Sequence, residues 1–230
     1  MAMIDKTTDM ENAISEIPDG ASVMLGGFGV PGTPFCLIQE LVRQGQKNLT
    51  IIKNDANENG MGVDRLLENG QVGKLIASHI GLNSRAVQMM NDGDIQVEFV
   101  PQGILAERIR IAGAGMMAFV TDIGMGTPLA DGKTEVSVGA AIGVLEPALH
   151  ADFALLHAAR SDRFGNLTYA ATARNFNPIM AMAATCTIVE SEKVVPVGEI
   201  APDEVHTPAP FIDHIIQLPG LPEEYNVVER

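Results

Sequence analysis

The stretch Val23-Met24-Leu25-Gly26-Gly27-Phe28-Gly29-Val30-Pro31-Gly32-Thr33-Pro34 constrains the chain most: an apolar run breaks into glycines and then enters a helical pattern. The turn signal Pro18-Asp19-Gly20 precedes it, so the run reads as a short buried strand with a glycine loop at its carboxyl end. Open α/β sheets bind ligands at that end. Thr33 is expected to cap the following helix and Pro34 to be its first residue, where a missing N–H has no intrahelical partner to lose. Cys36, Leu37, Ile38, Leu41 and Val42 then give one apolar helix face. Free N–H groups at such a helix start favour an anion or a developing oxyanion. A tight structural turn accounts for the glycines as readily as a ligand loop does, since the stretch has neither the lysine of a phosphate-binding loop nor a dinucleotide fingerprint.

The same strand, polar loop, helix order recurs downstream. Residues 10 to 17 read as a short leading helix, Leu49 to Ile52 as a buried strand, and Asp64 to Glu68 as a helix. Lys74 to Ser78 is the next strand, Ser84 is expected to cap a helix reaching Met90, and Ile95 to Val100 alternates as a strand. Pro101-Gln102-Gly103 turns the chain into a helix carrying Ile104, Leu105, Ile109 and Ile111. This repetition predicts an α/β fold, an open and mainly parallel sheet covered by helices with right-handed crossovers. The segment from Gly113 to Gly132 is too apolar for a linker and reads as an ordered excursion beside the site. Strands follow at 134–138, 151–157 and 187–190, with Leu145-Glu146-Pro147 as a connection, a helix over Ile179 to Ala184, and a short amphipathic element over Phe211 to Ile216. One domain over 1–230 is expected, with loosely packed termini at about 1–7 and 218–230.

The net charge of −14 argues against a nucleic-acid or acidic-membrane surface, while leaving room for a small basic pocket. No stretch reads as a secretory peptide or a membrane span, so a cytoplasmic placement is expected. Cys36 and Cys186 are too few for a disulfide framework and read as buried free thiols.

Most chemistry-bearing side chains have an ordinary structural reading. His79, His150, His157, His206 and His214 show no metal-ligand spacing, and no metal is expected. Asp213-His214 reads as an exposed helix pair, Arg108 and Arg110 as a solvated helix face, and Arg174 as a hydrogen-bonding turn residue. Glu58 and Glu68 each precede Asn-Gly, a turn dipeptide; either is a formal candidate for a carboxylate nucleophile, but turn formation is the simpler role. Gln102 stands at the expected carboxyl end of a strand, where its amide is able to donate to an oxyanion or a thioester oxygen; a plain turn role remains open.

The glycine stretch resembles the alpha subunit of the class I CoA-transferases when taken with Asn54-Asp55, Ser78 to Asn83, Val100-Pro101-Gln102-Gly103, Glu107 to Arg110, Gly113-Ala114-Gly115 and Ala173 to Pro178. The resemblance covers most of residues 8 to 216, in family order, and is nearest the acetate or acetoacetate transferases and their 3-oxoacid relatives. It implies transfer of CoA between a short-chain acyl-CoA or 3-oxoacyl-CoA and a carboxylic acid by ping-pong chemistry. It also implies a beta-subunit partner, an alpha2beta2 assembly, coenzyme A and acyl-CoA as substrates, and no tightly bound cofactor. The nucleophilic glutamate is implied on the beta subunit, in a Ser-Glu-Asn-Gly stretch, and is not transferred to Glu58 or Glu68. For this chain the resemblance implies Gln102 as the polar contact to the thioester or acyl oxygen. It implies Gly26, Gly27, Phe28 and Gly29 as active-site wall, and Asn54 and Asn83 as polar strand-end positions near CoA.

Two other readings stay open: a sugar-phosphate isomerase-like or sugar-sensing domain, which wants basic residues at the sheet's ligand edge, and a noncatalytic structural subunit. Acetate, butyrate and acetoacetate are the leading candidate acids, with succinate and 3-oxoadipate behind them. Met61, Met116, Met117 and Met125 line a small acyl pocket or fill the core.

Overall fold

A computed structural model describes residues 4–227. The chain runs α1 (Met10–Ser15), β1 (Ser22–Leu25), α2 (Phe35–Gln44), β2 (Leu49–Ile52), α3 (Val63–Glu68), β3 (Val72–Ala77), α4 (Ser84–Asp92) and β4 (Gln96–Phe99). It continues through α5 (Gln102–Gly113), β5 (Ala118–Thr121), β6 (Glu135–Val138), β7 (Ala141–Pro147), β8 (Ala151–Asp162), β9 (Leu167–Thr168), α6 (Asn177–Ala183), β10 (Ala184–Val195) and β11 (His214–Gln217). The main sheet has the order β11-β10-β8-β1-β2-β3-β4, with β9 paired to β8. Every neighbour along that order is parallel, and only the β8–β9 pair is antiparallel. From β1 the chain winds outward to β4, then crosses back to β8 on β1's other side. The crevice beyond the carboxyl ends of β1 and β8 is therefore the point where strand order reverses, the place such sheets offer to ligands.

Alternation along the strands builds two cores, one on each face. Val23, Leu25, Ile51 and Leu75 pack with residues of α1 to α4. Met24, Ile52 and Ile76 face the other way, against α5 and α6.

Four expectations need correction. The excursion after Gly113 carries β5, which joins β6 and β7 in a separate antiparallel sheet of order β5-β7-β6. Leu145-Glu146-Pro147, expected as a connection, completes β7. The element over 211–216 is a strand at its far end: β11 pairs in register with β10, so Asp213-His214 is not a helix pair. Asp213 instead accepts the Thr187 N–H at 2.8 Å and fixes the start of that pairing.

Within the termini expected to be loose, some of the described residues are anchored. Lys6 Nζ donates to the Ala209 and Ile212 carbonyls at 2.7 and 2.6 Å, and Thr7 bridges to Ile215. At the other end Leu218 and Tyr225 are buried, and the Tyr225 ring meets Phe35 edge-on at 5.2 Å. Residues 1–3 and 228–230 of those expected tails lie outside the described residues.

Among the described residues no helix is long and apolar enough to cross a membrane. Cys36 and Cys186 are free, and burial pushes each thiol up to about 12.

Candidate active site

The glycine loop leaves β1 with the Gly26 N–H still bonded to the Leu155 carbonyl at 2.9 Å. A Cβ on Gly26 would lie 2.0 Å from Asn177 Oδ1, and one on Gly32 would lie 2.6 Å from Asn177 Nδ2. Asn177 is fully buried: its Nδ2 donates to the Gly32 and Ala173 carbonyls at 3.1 and 2.9 Å, and its Oδ1 accepts the His157 N–H at 3.2 Å. Two distant segments of the chain thus meet through one amide. Gly26→Ala is expected to destabilise the fold by roughly 2 to 3 kcal/mol, because backbone on both sides of Asn177 blocks its retreat. A fall in urea midpoint with unchanged slope checks this.

Gly27 turns the loop at φ +96°, with its Cα side pressed against Thr33. Thr33 is not the cap of α2, as expected from sequence. Its hydroxyl points into the loop and donates to the Gly29 carbonyl at 2.7 Å, while Pro34 occupies the cap position without a side-chain bond. The start of α2 is met from across the sheet instead. Glu190 Oε2 accepts the Leu37 N–H at 2.8 Å, and Glu190 Oε1 bonds His157 Nδ1 at 2.8 Å. His157 Nε2 reaches Glu192 at 3.1 Å, and the Tyr225 ring lies against the imidazole at 4.7 Å, tilted by 33°. Burial opposes the imidazolium, yet the hydrogen bonds to Glu190 and Glu192 carry His157 above its ordinary value. Burial pushes Glu190 up against the pull of His157. No sequence pattern marks this network, because His157 and Glu190 become neighbours only through the β8–β10 register.

A second network links the ends of β1, β2 and β3. Asp55 Oδ2 accepts the Gly29 N–H at 2.9 Å, and Asp55 Oδ1 accepts the Asn57 N–H at 2.9 Å and Lys53 Nζ at 3.2 Å. Lys53 is completely buried, and burial lowers its affinity for a proton against the attraction of Asp55. Asp55 lies below its ordinary range: burial opposes this, but Lys53 and the Gly29, Asn54 and Asn57 donors outweigh it. Asn57 Nδ2 returns to the Gly29 carbonyl at 2.8 Å, so the loop is held by both backbone groups of one residue.

Asn54 Nδ2 donates to Asp55 at 3.1 Å, and Asn54 Oδ1 accepts from Gln102 Nε2 at 2.8 Å and from Ser78 Oγ at 3.1 Å. Gln102 is the first residue of α5 and is exposed, placed just beyond β4 as expected. An amide nitrogen carries two protons, so the bond to Asn54 orients Gln102 and leaves a second donor facing outward. Asn83 is buried and turned inward. Its Oδ1 caps α4 by accepting from Ala86 N at 2.9 Å, the role expected of Ser84, and its Nδ2 donates to the Ala56 carbonyl at 3.0 Å.

A cavity of about 110 Å³ opens beside these groups, lined by Phe28, Gly29, Val30, Asp55, Ala56, Asn57, Glu58, Met61, His79, Ile80 and Leu82. Its rim is apolar and open, with Phe28 45% and Leu82 67% exposed. Of the four methionines considered for an acyl pocket, Met61 lines this cavity; Met116 and Met117 stand exposed at the small sheet, and Met125 lies in the turn after β5. Glu58 is on the cavity wall, whereas Glu68 projects from α3 between Arg65 and Arg85. His79 is also on the wall, its Nδ1 3.0 Å from Ser78 Oγ. The ligand edge is thus built from amides, a buried carboxylate and apolar wall rather than from a cluster of cations.

The sequence profile of the family described as Coenzyme A transferase matches residues 7–218. The chain is 44% identical over 214 residues to the alpha chain of the acetate CoA-transferase of Escherichia coli (strain K12), covering 93% of this chain and 97% of that protein. It is 43% identical over 222 residues to the alpha chain of a probable coenzyme A transferase of Bacillus subtilis (strain 168), covering 96% and 97% respectively. In three dimensions it is similar to the acyl-CoA transferase of E. coli O157:H7, solved as a thioester complex with CoA. The TM-score is 0.86 at 21% identity, over 98% of this chain and 52% of that one, so the chain spans about half the length of that structural relative. A profile covering nearly the whole chain and relatives matched end to end lead to one conclusion: the chain belongs to the coenzyme A transferase family, as an alpha-type subunit of a CoA-transferring enzyme.

Proposed function

We propose that this chain completes the active site of a two-subunit, alpha2beta2 CoA-transferase that moves CoA between a short-chain acyl-CoA or 3-oxoacyl-CoA and a carboxylic acid. The hydrogen-bonded run from Gly29 through Asp55 and Asn54 to Gln102, beside a small apolar cavity, is the observation that supports the reading most.

In this reading a glutamate of the beta partner attacks the acyl-CoA carbonyl. The C–S bond breaks, giving an acyl-glutamyl anhydride and CoA thiolate. The thiolate attacks the glutamyl carbonyl, releases the first carboxylate and leaves a glutamyl-CoA thioester. An incoming carboxylate then runs the two steps in reverse. Each tetrahedral step places charge on an oxygen, and the free Gln102 N–H is the donor this chain offers to it. Asn54 positions Gln102, while Gly26, Gly27, Phe28 and Gly29 form the wall. Asn83 supports the floor, since its amide is spent on α4 and Ala56.

The cavity's size and the Met61 wall favour acetate, butyrate or acetoacetate over a long dicarboxylate. Co-expression with the partner, light-scattering mass of the assembly and an acceptor panel test the reading together. An alpha2beta2 mass with exchange onto short acids is expected. An assembly that accepts only long dicarboxylates would contradict the substrate assignment.

A further inference from the structure

At the β10–β11 edge of the main sheet, set off from β1 by β8, three ligand-type side chains converge from positions far apart in sequence. Ile188 of β10 pairs with His214 of β11, and Cys186 lies two residues before Ile188, so Cys186, Ile188 and His214 share one face of the sheet. That face is covered by α1, whose C-cap residue is Glu16. The donor atoms of Glu16, Cys186 and His214 all lie within 4.8 Å of one another.

We propose that Glu16, Cys186 and His214 form a site for a borderline-soft divalent cation of the Zn²⁺ class, which clamps α1 to the β10–β11 edge. The donor set of one thiol, one imidazole and one carboxylate is of the kind that selects such ions over Mg²⁺ or Ca²⁺. Bonds of about 2.0 to 2.1 Å to nitrogen and oxygen place those donors about 3.3 Å apart in a tetrahedron. His214 Nε2 and the two Glu16 oxygens are already 3.2 and 3.3 Å apart. A sulfur bond of about 2.3 Å asks for a separation of about 3.6 Å, so the thiol closes by on the order of 1 Å at most. Water takes the fourth position.

Asp213 adds a fixed negative charge. Its carboxylate is held by the Thr187 N–H at 2.8 Å, beside Cys186. Burial, Asp213 and Glu16 all hold Cys186 in its protonated form, up to about 12. The same carboxylates attract a dication, which inverts that preference once bound. Binding converts the thiol to a metal thiolate and releases its proton to solvent.

The experiment uses the full chain, freed of metal by chelator and titrated with Co²⁺ and then Zn²⁺. One equivalent of Co²⁺ is expected to give a thiolate-to-metal charge-transfer band with tetrahedral d–d absorption, displaced by Zn²⁺ and not by Mg²⁺. Cys186→Ser removes the charge-transfer band and weakens Zn²⁺ by on the order of 100-fold or more, since even the groups behind metal ligands commonly cost 10- to 100-fold. His214→Gln weakens binding while retaining a thiolate band, and Cys36→Ser leaves both intact. Circular dichroism of each variant separates lost binding from lost fold. Absence of a thiolate band in the parent chain, or its loss in Cys36→Ser rather than Cys186→Ser, overturns the proposal.

Discussion

Gln102→Ala, introduced into this chain and assembled with its partner, is expected to lower kcat by on the order of 100-fold with a much smaller change in KM, the size seen when one oxyanion donor is removed. The expectation rests on geometry. Asn54 Oδ1 accepts one Gln102 proton at 2.8 Å, and Asn54 is itself held by Asp55, so the outward donor is aimed before substrate arrives. A donor fixed in advance needs little reorganisation as charge develops, and its effect therefore appears in kcat rather than in binding. Gln102 is exposed at a helix start, so truncation leaves no core cavity and assembly is expected to survive. Steady-state exchange kinetics on the assembled enzyme, with light scattering to confirm assembly, check this; an unchanged kcat/KM removes the polar role from Gln102.

The second large effect is on stability. Asp55→Asn is expected to cost about 3 to 5 kcal/mol, because it leaves the completely buried Lys53 ammonium without its countercharge. Asn at this position also offers one acceptor oxygen where Asp55 serves Gly29, Asn54, Asn57 and Lys53. Lys53→Met combined with Asp55→Asn is expected to recover much of the loss, since no unpaired charge then remains.

The pH dependence follows from the direction of the Asp55 shift. The folded form holds Asp55 below its ordinary value, so the unfolded chain takes up the proton first as pH falls. The stabilisation is complete above the ordinary carboxylate range and is lost as pH drops through the lower, folded value. Urea midpoints across the acid range are expected to fall more steeply in the parent chain than in Asp55→Asn, where the Asp55 share of this limb is gone. An acid limb that persists unchanged in the variant assigns it to other carboxylates.

The parallel half of the sheet was legible in the sequence because each strand is a short apolar run closed by a polar or glycine loop. Leu49–Ile52 and its polar successor are an example, and β2 spans those residues. The excursion after Gly113 was harder to read. β5 and β7 form a partly exposed sheet, Ile142 being 56% exposed beside buried Val144, so neither shows the continuous buried apolar run that marked the other strands. β11 has only four residues, and two of them, Ile215 and Ile216, fit a helix face as well as a strand.

At the site, Gln102 and the glycine loop were visible because turn chemistry and strand ends are local properties. The Lys53–Asp55 pair and the His157–Glu190–Glu192 network were not. Their meaning lies in burial and in which strands become neighbours, and β8 and β10 are separated in sequence by β9 and α6. The two misassigned caps differ in origin. Thr33 is drawn to the Gly29 carbonyl, which the folded loop supplies, whereas Asn83 is a local cap one residue before Ser84, and residue type alone did not choose between those two neighbours.

Intact mass of each chain after incubation of the assembled enzyme with acyl-CoA tests the central claim most directly. A CoA-sized adduct on the beta partner, removed by acetate or acetoacetate, with this chain unmodified, is the predicted result. An adduct on this chain, abolished by Glu58→Gln, would contradict it and move the nucleophile into the cavity beside Gln102.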